Sequence, residues 1–210
     1  DAYVSGRVSD IIKDEGVTVE SDAAYVQGIF GIGGEARGDL EIVSGSRDSE
    51  LTIEDIKESH SGKIIVGGSF IGIDAYKKAL ELKVRGVVVG GFNYYDLEEV
   101  LGYRLGVAIT GTENLETSLV VTEGYGNIKM SERTYNLLKL HDGKFVSING
   151  ATQIRAGVIR PEIVIPLEKG EISDVIDAKE RNLGMEIDSL VRVIRAPFFG
   201  KIGKVVDLPS

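Results

Sequence analysis

The 210-residue chain contains no cysteine, which excludes disulfides, thiolate metal sites and a cysteine nucleophile. It also has no tryptophan, four prolines and only two glutamines, Gln27 and Gln153. The shortage of Cys, Trp and Gln leans toward a thermophilic source. His60 and His141 are the only imidazoles and lie far apart in sequence. A His-rich metal centre or a Ser-His-Asp relay would have to draw on one of them, and both read more simply as surface or capping residues. No metal and no cofactor are expected. No apolar run reaches the ~20 residues that a membrane helix needs. The first residues, Asp1-Ala2-Tyr3-Val4, show neither an initiator methionine nor the basic start of a signal peptide. The cytoplasm is the expected location, with no membrane partner, and both ends read as boundaries within a longer protein.

Glycine is the residue in excess, at 27 positions. It follows no triplet period and sits at the ends of apolar runs, where short strands need tight turns. The net charge of −9 is uneven: residues 1–62 carry 5 basic against 14 acidic groups, residues 63–170 carry 13 against 12, and residues 171–210 carry 6 against 7. An acidic N-terminal segment repels a phosphate backbone, so that part is not expected to grip nucleic acid.

The pattern predicts an α/β protein with additional all-β modules. Residues 1–45 alternate as short strands (Tyr3–Val8, Gly16–Glu20, Ala24–Ile29, Gly38–Val43) and suit a small β barrel or sandwich. Residues 46–62, with a Thr52-x-x-Asp55 capping pattern, read as a linker with a short helix. Residues 63–167 read as an α/β domain with a mainly parallel sheet. Lys63–Gly68 is a strand, Asp74–Lys83 a helix, and Val84–Gly91 a second strand, which together make a βαβ unit. Helices at Asp96–Leu101 and Ser131–Leu140 follow, with strands at 106–110, 118–122, 144–148, 156–159 and 162–166. Residues 168–210 read as a charged linker and a final β segment.

The run Glu20-Ser21-Asp22-Ala23-Ala24 within the first strands resembles the hairpin of the barrel-sandwich hybrids found in lipoyl and biotinyl carriers and RnfC-type electron-transfer subunits. In those carriers a lysine is modified; Ala23 stands here, so the carrier role does not transfer. Gly28-Ile29-Phe30-Gly31-Ile32-Gly33-Gly34-Glu35-Ala36 contains a G-x-G-x-x-A pattern. Arg37-Gly38-Asp39 and a further strand follow it where a dinucleotide site needs a helix, so a turn is expected.

The diglycine strand ends Gly67-Gly68-Ser69 and Gly90-Gly91 are the first candidate site. In a parallel sheet they fall at the carboxyl ends of neighbouring strands, where α/β domains hold ligands and where helix N-termini offer N–H groups to anions. Thr110, Thr112, Asn149 and Arg155 are placed on the same edge, together suiting a small polar or anionic ligand. Glu113 and Glu123 are the acid–base candidates if the edge is catalytic. The plain alternative is that these residues cap turns.

The second candidate is the tail. Val191-x-Val193-Ile194, Pro197-Phe198 and Gly200-Lys201-Ile202-Gly203-Lys204-Val205 predict a β-hairpin, and the charged residues between 189 and 206 are all basic: Arg192, Arg195, Lys201 and Lys204. This stretch resembles the KOW motif of NusG-type transcription factors and several ribosomal proteins, which implies an SH3-like barrel that meets RNA or protein. The order of acidic β module, glycine-edged α/β module and KOW-like tail is similar to a group of prokaryotic KOW-motif proteins, a resemblance that brings no catalytic residues. The leading expectation is a non-catalytic binding or scaffold protein acting through its α/β domain and tail, with protein partners foremost. The alternatives are an enzyme or small-ligand-binding component at the strand ends, and an RNA- or ribosome-associated protein.

Overall fold

A computed structural model describes residues 2–102, 115–153, 159–168, 187–193 and 202–208. The chain divides into two compact units, Asp1–Pro166 and Leu167–Ser210.

In the first unit, β1 (Arg7–Ile12) and β2 (Gly16–Glu20) form a two-stranded antiparallel hairpin of their own. The remaining strands form one ten-stranded mixed sheet. They are β3 (Ala23–Gln27), β4 (Phe30–Ile32), β5 (Glu35–Ile42), β6 (Glu50–Leu51), β7 (Ile64–Val66), β8 (Phe70–Ile71), β9 (Gly86–Phe92), β10 (Ser118–Tyr125), β11 (Phe145–Asn149) and β12 (Glu162–Pro166). Their order is β3-β12-β11-β5-β7-β9-β10-β4, with β8 beside β9 and β6 beside β8. The run from β5 through β7 and β9 to β10 is parallel, whereas β3, β12, β11 and the first half of β5 pair antiparallel.

Two expectations are corrected. The sheet is mixed rather than mainly parallel, and residues 1–45 do not close a small barrel of their own. β3, β4 and β5 belong to the large sheet because their pairing partners lie far along the chain: Tyr25 sits opposite Val164 and Arg37 opposite Ser147. The two ends of the strand order, β3 and β4, are separated in sequence only by Gly28 and Ile29. Their amides donate to the Pro161 and Val121 carbonyls at 2.7 and 2.8 Å. The buried Arg160 donates to the Ile29 carbonyl at 2.7 Å, which fixes this run between the two halves of the sheet.

The core lies along the parallel strands. Ile64, Ile65, Val66, Val87, Val88, Val89, Leu119, Val120 and Val121 are all fully buried. Consecutive apolar residues of this kind mark strands covered on both faces. One cover is α1 (Ile73–Glu81), which buries Ala75, Tyr76 and Ala79. The Tyr76 ring meets Phe92 edge-on at 5.9 Å. The Ile148 side chain of β11 presses on Gly86, where a side chain would collide with it. Two further helices, α2 (Tyr94–Leu101) and α3 (Glu132–Leu140), follow β9 and β10. Ser131 caps α3 by accepting from the Thr134 amide at 3.2 Å. Residues 46–62, expected as a linker with a short helix, hold the strand β6 and two 3-10 turns, Ile53–Asp55 and Glu58–His60. The Asp55 carboxylate there accepts from the Thr52 amide at 2.8 Å. Among the described residues no helix is long and apolar enough to cross a membrane.

In the second unit, β13 (Leu190–Arg192) pairs antiparallel with β14 (Ile202–Lys204). The Asp188 amide donates to the Val205 carbonyl at 2.8 Å and the Val205 amide to Ser189 at 2.9 Å, extending the pairing outward.

Candidate functional site

The carboxyl edge of the parallel strands gathers Gly67, Gly68, Ser69, Gly90, Gly91 and Glu123, and the chain itself fills the space beside them. A Cβ on Gly68 would overlap the Ser46 carbonyl and lie 2.5 Å from that of Ser49. A Cβ on Gly90 would overlap the Ile128 carbonyl, and one on Gly91 the Gly126 carbonyl. The glycines therefore admit two backbone segments, 46–49 and 126–130. Arg47 ties those segments together: its guanidinium donates to the Met130 carbonyl at 3.1 Å, and its own carbonyl accepts from the Met130 amide at 3.0 Å. Ser69 is buried and donates to the Asp48 carbonyl at 3.0 Å. At the end of β10 the Tyr125 ring meets Phe30 at 5.4 Å and Tyr94 at 5.3 Å. Burial, with Tyr94 beside it, pushes the Tyr125 phenol above its ordinary range.

Glu123 is 5% exposed, and its Oε1 accepts from the Ser131 amide at 2.8 Å. A carboxylate on the first free N–H groups of a helix stabilises that end, so Glu123 anchors the start of α3 to β10. Asn149 is not on this edge. It pairs with Glu35 at the first residue of β5, whereas Val66 pairs with Ile42 at the last. At about 3.3 Å per residue, those two ends of β5 are about 23 Å apart. The Asn149 side chain accepts from the Ala151 amide at 2.9 Å and shapes a turn. Thr110, Thr112, Glu113 and Arg155 lie outside the described residues, as do Arg195 and Lys201 of the tail. Arg192 ends β13. Lys204 is exposed, and its ammonium lies 3.5 Å from Asp188, a surface pair of little energetic weight.

An open cleft of about 250 Å³ lies at the opposite, amino edge of the parallel strands, lined by Ser61, Gly62, Lys83, Arg85 and Glu116. These residues stand just before β7, β9 and β10 respectively. Lys83 closes α1: its amide donates to Leu80 and that of Val84 to Ala79, both at 3.0 Å. Its φ of 57° is left-handed, a conformation that costs a non-glycine residue roughly 1 kcal/mol. The sequence carries a signal for this place: Lys83 and Arg85 flank the buried Val84 directly before the first glycine of β9. Attention to carboxyl strand ends passes over it.

No protein-family model, curated protein or solved structure matches the chain. Its geometry is what bears on function.

The remaining feature is the β1–β2 hairpin. Its register places Val8 opposite Val19 and Ile11 opposite Val17, with a bulge between Val8 and Asp10. The extra residue restores the side-chain alternation, so all four aliphatic residues share one face. Arg7, Asp10, Ile12, Thr18 and Glu20 occupy the other. Val8, Ile11 and Val17 are 51%, 72% and 55% exposed. A two-stranded hairpin is marginal alone in water, and an apolar face left bare on one marks an interaction surface.

Proposed function

We propose that the chain is a non-catalytic binding protein whose α/β unit is a rigid frame and whose β1–β2 hairpin takes a protein partner. The observation that carries this reading is the exposed aliphatic face of Val8, Ile11 and Val17, with the half-buried Val19 beside them. The described strand ends that suggested chemistry in the sequence support it further, since they are engaged by neighbouring backbone. Residues 7–22 hold two basic and five acidic groups. The partner therefore offers an apolar patch bordered by lysine or arginine, and like-charge repulsion disfavours a second copy of the same acidic hairpin. A cytoplasmic site of action is part of this reading.

The test uses the full chain and the double variant Ile11→Asp/Val17→Asp. A protein recovered with the wild type is purified and titrated with both. The reading predicts direct binding that weakens with rising salt and that falls at least about 100-fold in the variant, the scale of losing two central apolar anchors. Equal affinity for both chains contradicts it. The thermal midpoint of the variant stays within a few degrees, since the substituted side chains are already exposed.

A further inference from the structure

The amino-edge cleft is built from three segments that the backbone locks together. The Gly62 amide donates to the Lys83 carbonyl at 3.0 Å, the Arg85 amide to Lys63 at 2.9 Å, and the Ser118 amide to Arg85 at 3.0 Å. The Thr117 hydroxyl donates to the Val84 carbonyl at 2.6 Å, tying the start of β10 to the turn that carries both cations. Thr117 and Val84 are completely buried. Ser61, Lys83, Arg85 and Glu116, all exposed, thus project from fixed backbone positions.

The donor set is specific in kind. Lys83 supplies a point charge and Arg85 a planar fork, a combination suited to an oxyanion. Ser61 adds a hydroxyl, and Glu116 supplies an acceptor on the rim of the same cleft. A bare anion gains from the cations and is opposed by Glu116. A molecule that also carries an amine or hydroxyl satisfies both. Ligand pockets commonly span about 300–1,000 Å³; at about 250 Å³ this cleft suits a smaller molecule. The left-handed Lys83 adds an independent observation, because glycine would close α1 with less strain yet a lysine side chain stands there.

We propose that this cleft binds a small molecule in which a phosphate or carboxylate and a hydrogen-bond-donating group are separated by a few bonds. The test is a titration of the full chain, followed by backbone amide shifts, with inorganic phosphate and with phosphoethanolamine. Both ligands shift the amides of residues 61–62, 83–86 and 116–118 saturably. Phosphoethanolamine binds at least fivefold tighter than phosphate. Arg85→Gln weakens both at least tenfold, and Glu116→Gln removes the preference between them. Lys83→Gly weakens both while raising the thermal midpoint, which separates loss of the amine from loss of the fold. Absence of saturable shifts, affinities unmoved by Arg85→Gln, or equal affinity of the wild type for the two ligands overturns the proposal.

Discussion

The Tyr76 hydroxyl donates to the Thr117 carbonyl at 2.7 Å, and the Thr117 hydroxyl donates in turn to the Val84 carbonyl. All three residues are fully buried, so α1, the start of β10 and the turn before β9 are joined by a short polar relay inside an apolar core. Hydrogen bonds in such surroundings are costly to leave unmade.

Tyr76→Phe keeps the ring against Phe92 and removes only the donor. The Thr117 carbonyl is then unsatisfied, and the expected loss is about 1–3 kcal/mol. Urea unfolding reads this as a lower midpoint at unchanged slope. Faster hydrogen exchange at the amides of residues 117–118 is expected to accompany it.

Gly91→Ala and Gly90→Ala push a methyl group into the Gly126 and Ile128 carbonyls, which belong to backbone and cannot swing aside. Each is expected to cost about 1–3 kcal/mol or more by overpacking. If the diglycine ends instead lay open for a ligand, the same substitutions would leave the unfolding midpoint nearly unmoved.

His60 gives the stability a pH dependence of fixed sign. Its Nδ1 accepts from the Lys57 amide at 3.2 Å, so the ring proton sits on Nε2, 3.6 Å from Glu41. Burial holds the imidazole below its ordinary value of 6.5; Glu41 pulls the other way, and Lys63 and Lys57 add to the depression. The unfolded chain therefore takes up this proton at a higher pH than the folded one. Stability from this group is full above 6.5 and declines as the pH falls through the window beneath it. His60→Gln is expected to flatten that slope in chemical unfolding at a series of pH values.

Local structure was legible where a single residue dictates it. Ser131 announced the start of α3, and the alternation in Gly16–Glu20 and the apolar runs of β7 and β9 announced strands. α2 begins at Tyr94, earlier than its Asp96 suggested, because Asn93 is its cap and accepts from the Tyr95 amide at 3.2 Å. β1 lies at Arg7–Ile12 rather than Tyr3–Val8, and it carries a bulge that leaves no compositional mark. The joining of β3–β5 to the large sheet was out of reach, since pairs such as Arg37 and Ser147 depend on contacts that local periodicity does not encode. The diglycine ends show the same boundary in the candidate site. Glycine there signals close approach by something, and only the fold reveals that Gly126 and Ile128 are what approaches.

A face-specific crosslink tests the hairpin's role most directly. A photoreactive phenylalanine analogue placed at Ile11 in the full chain inside cells should yield one discrete adduct with a different protein. The same group at Thr18, on the reverse face, should yield none. Adducts of equal yield from both positions, an adduct with a second copy of the chain, or no adduct from Ile11 would contradict it.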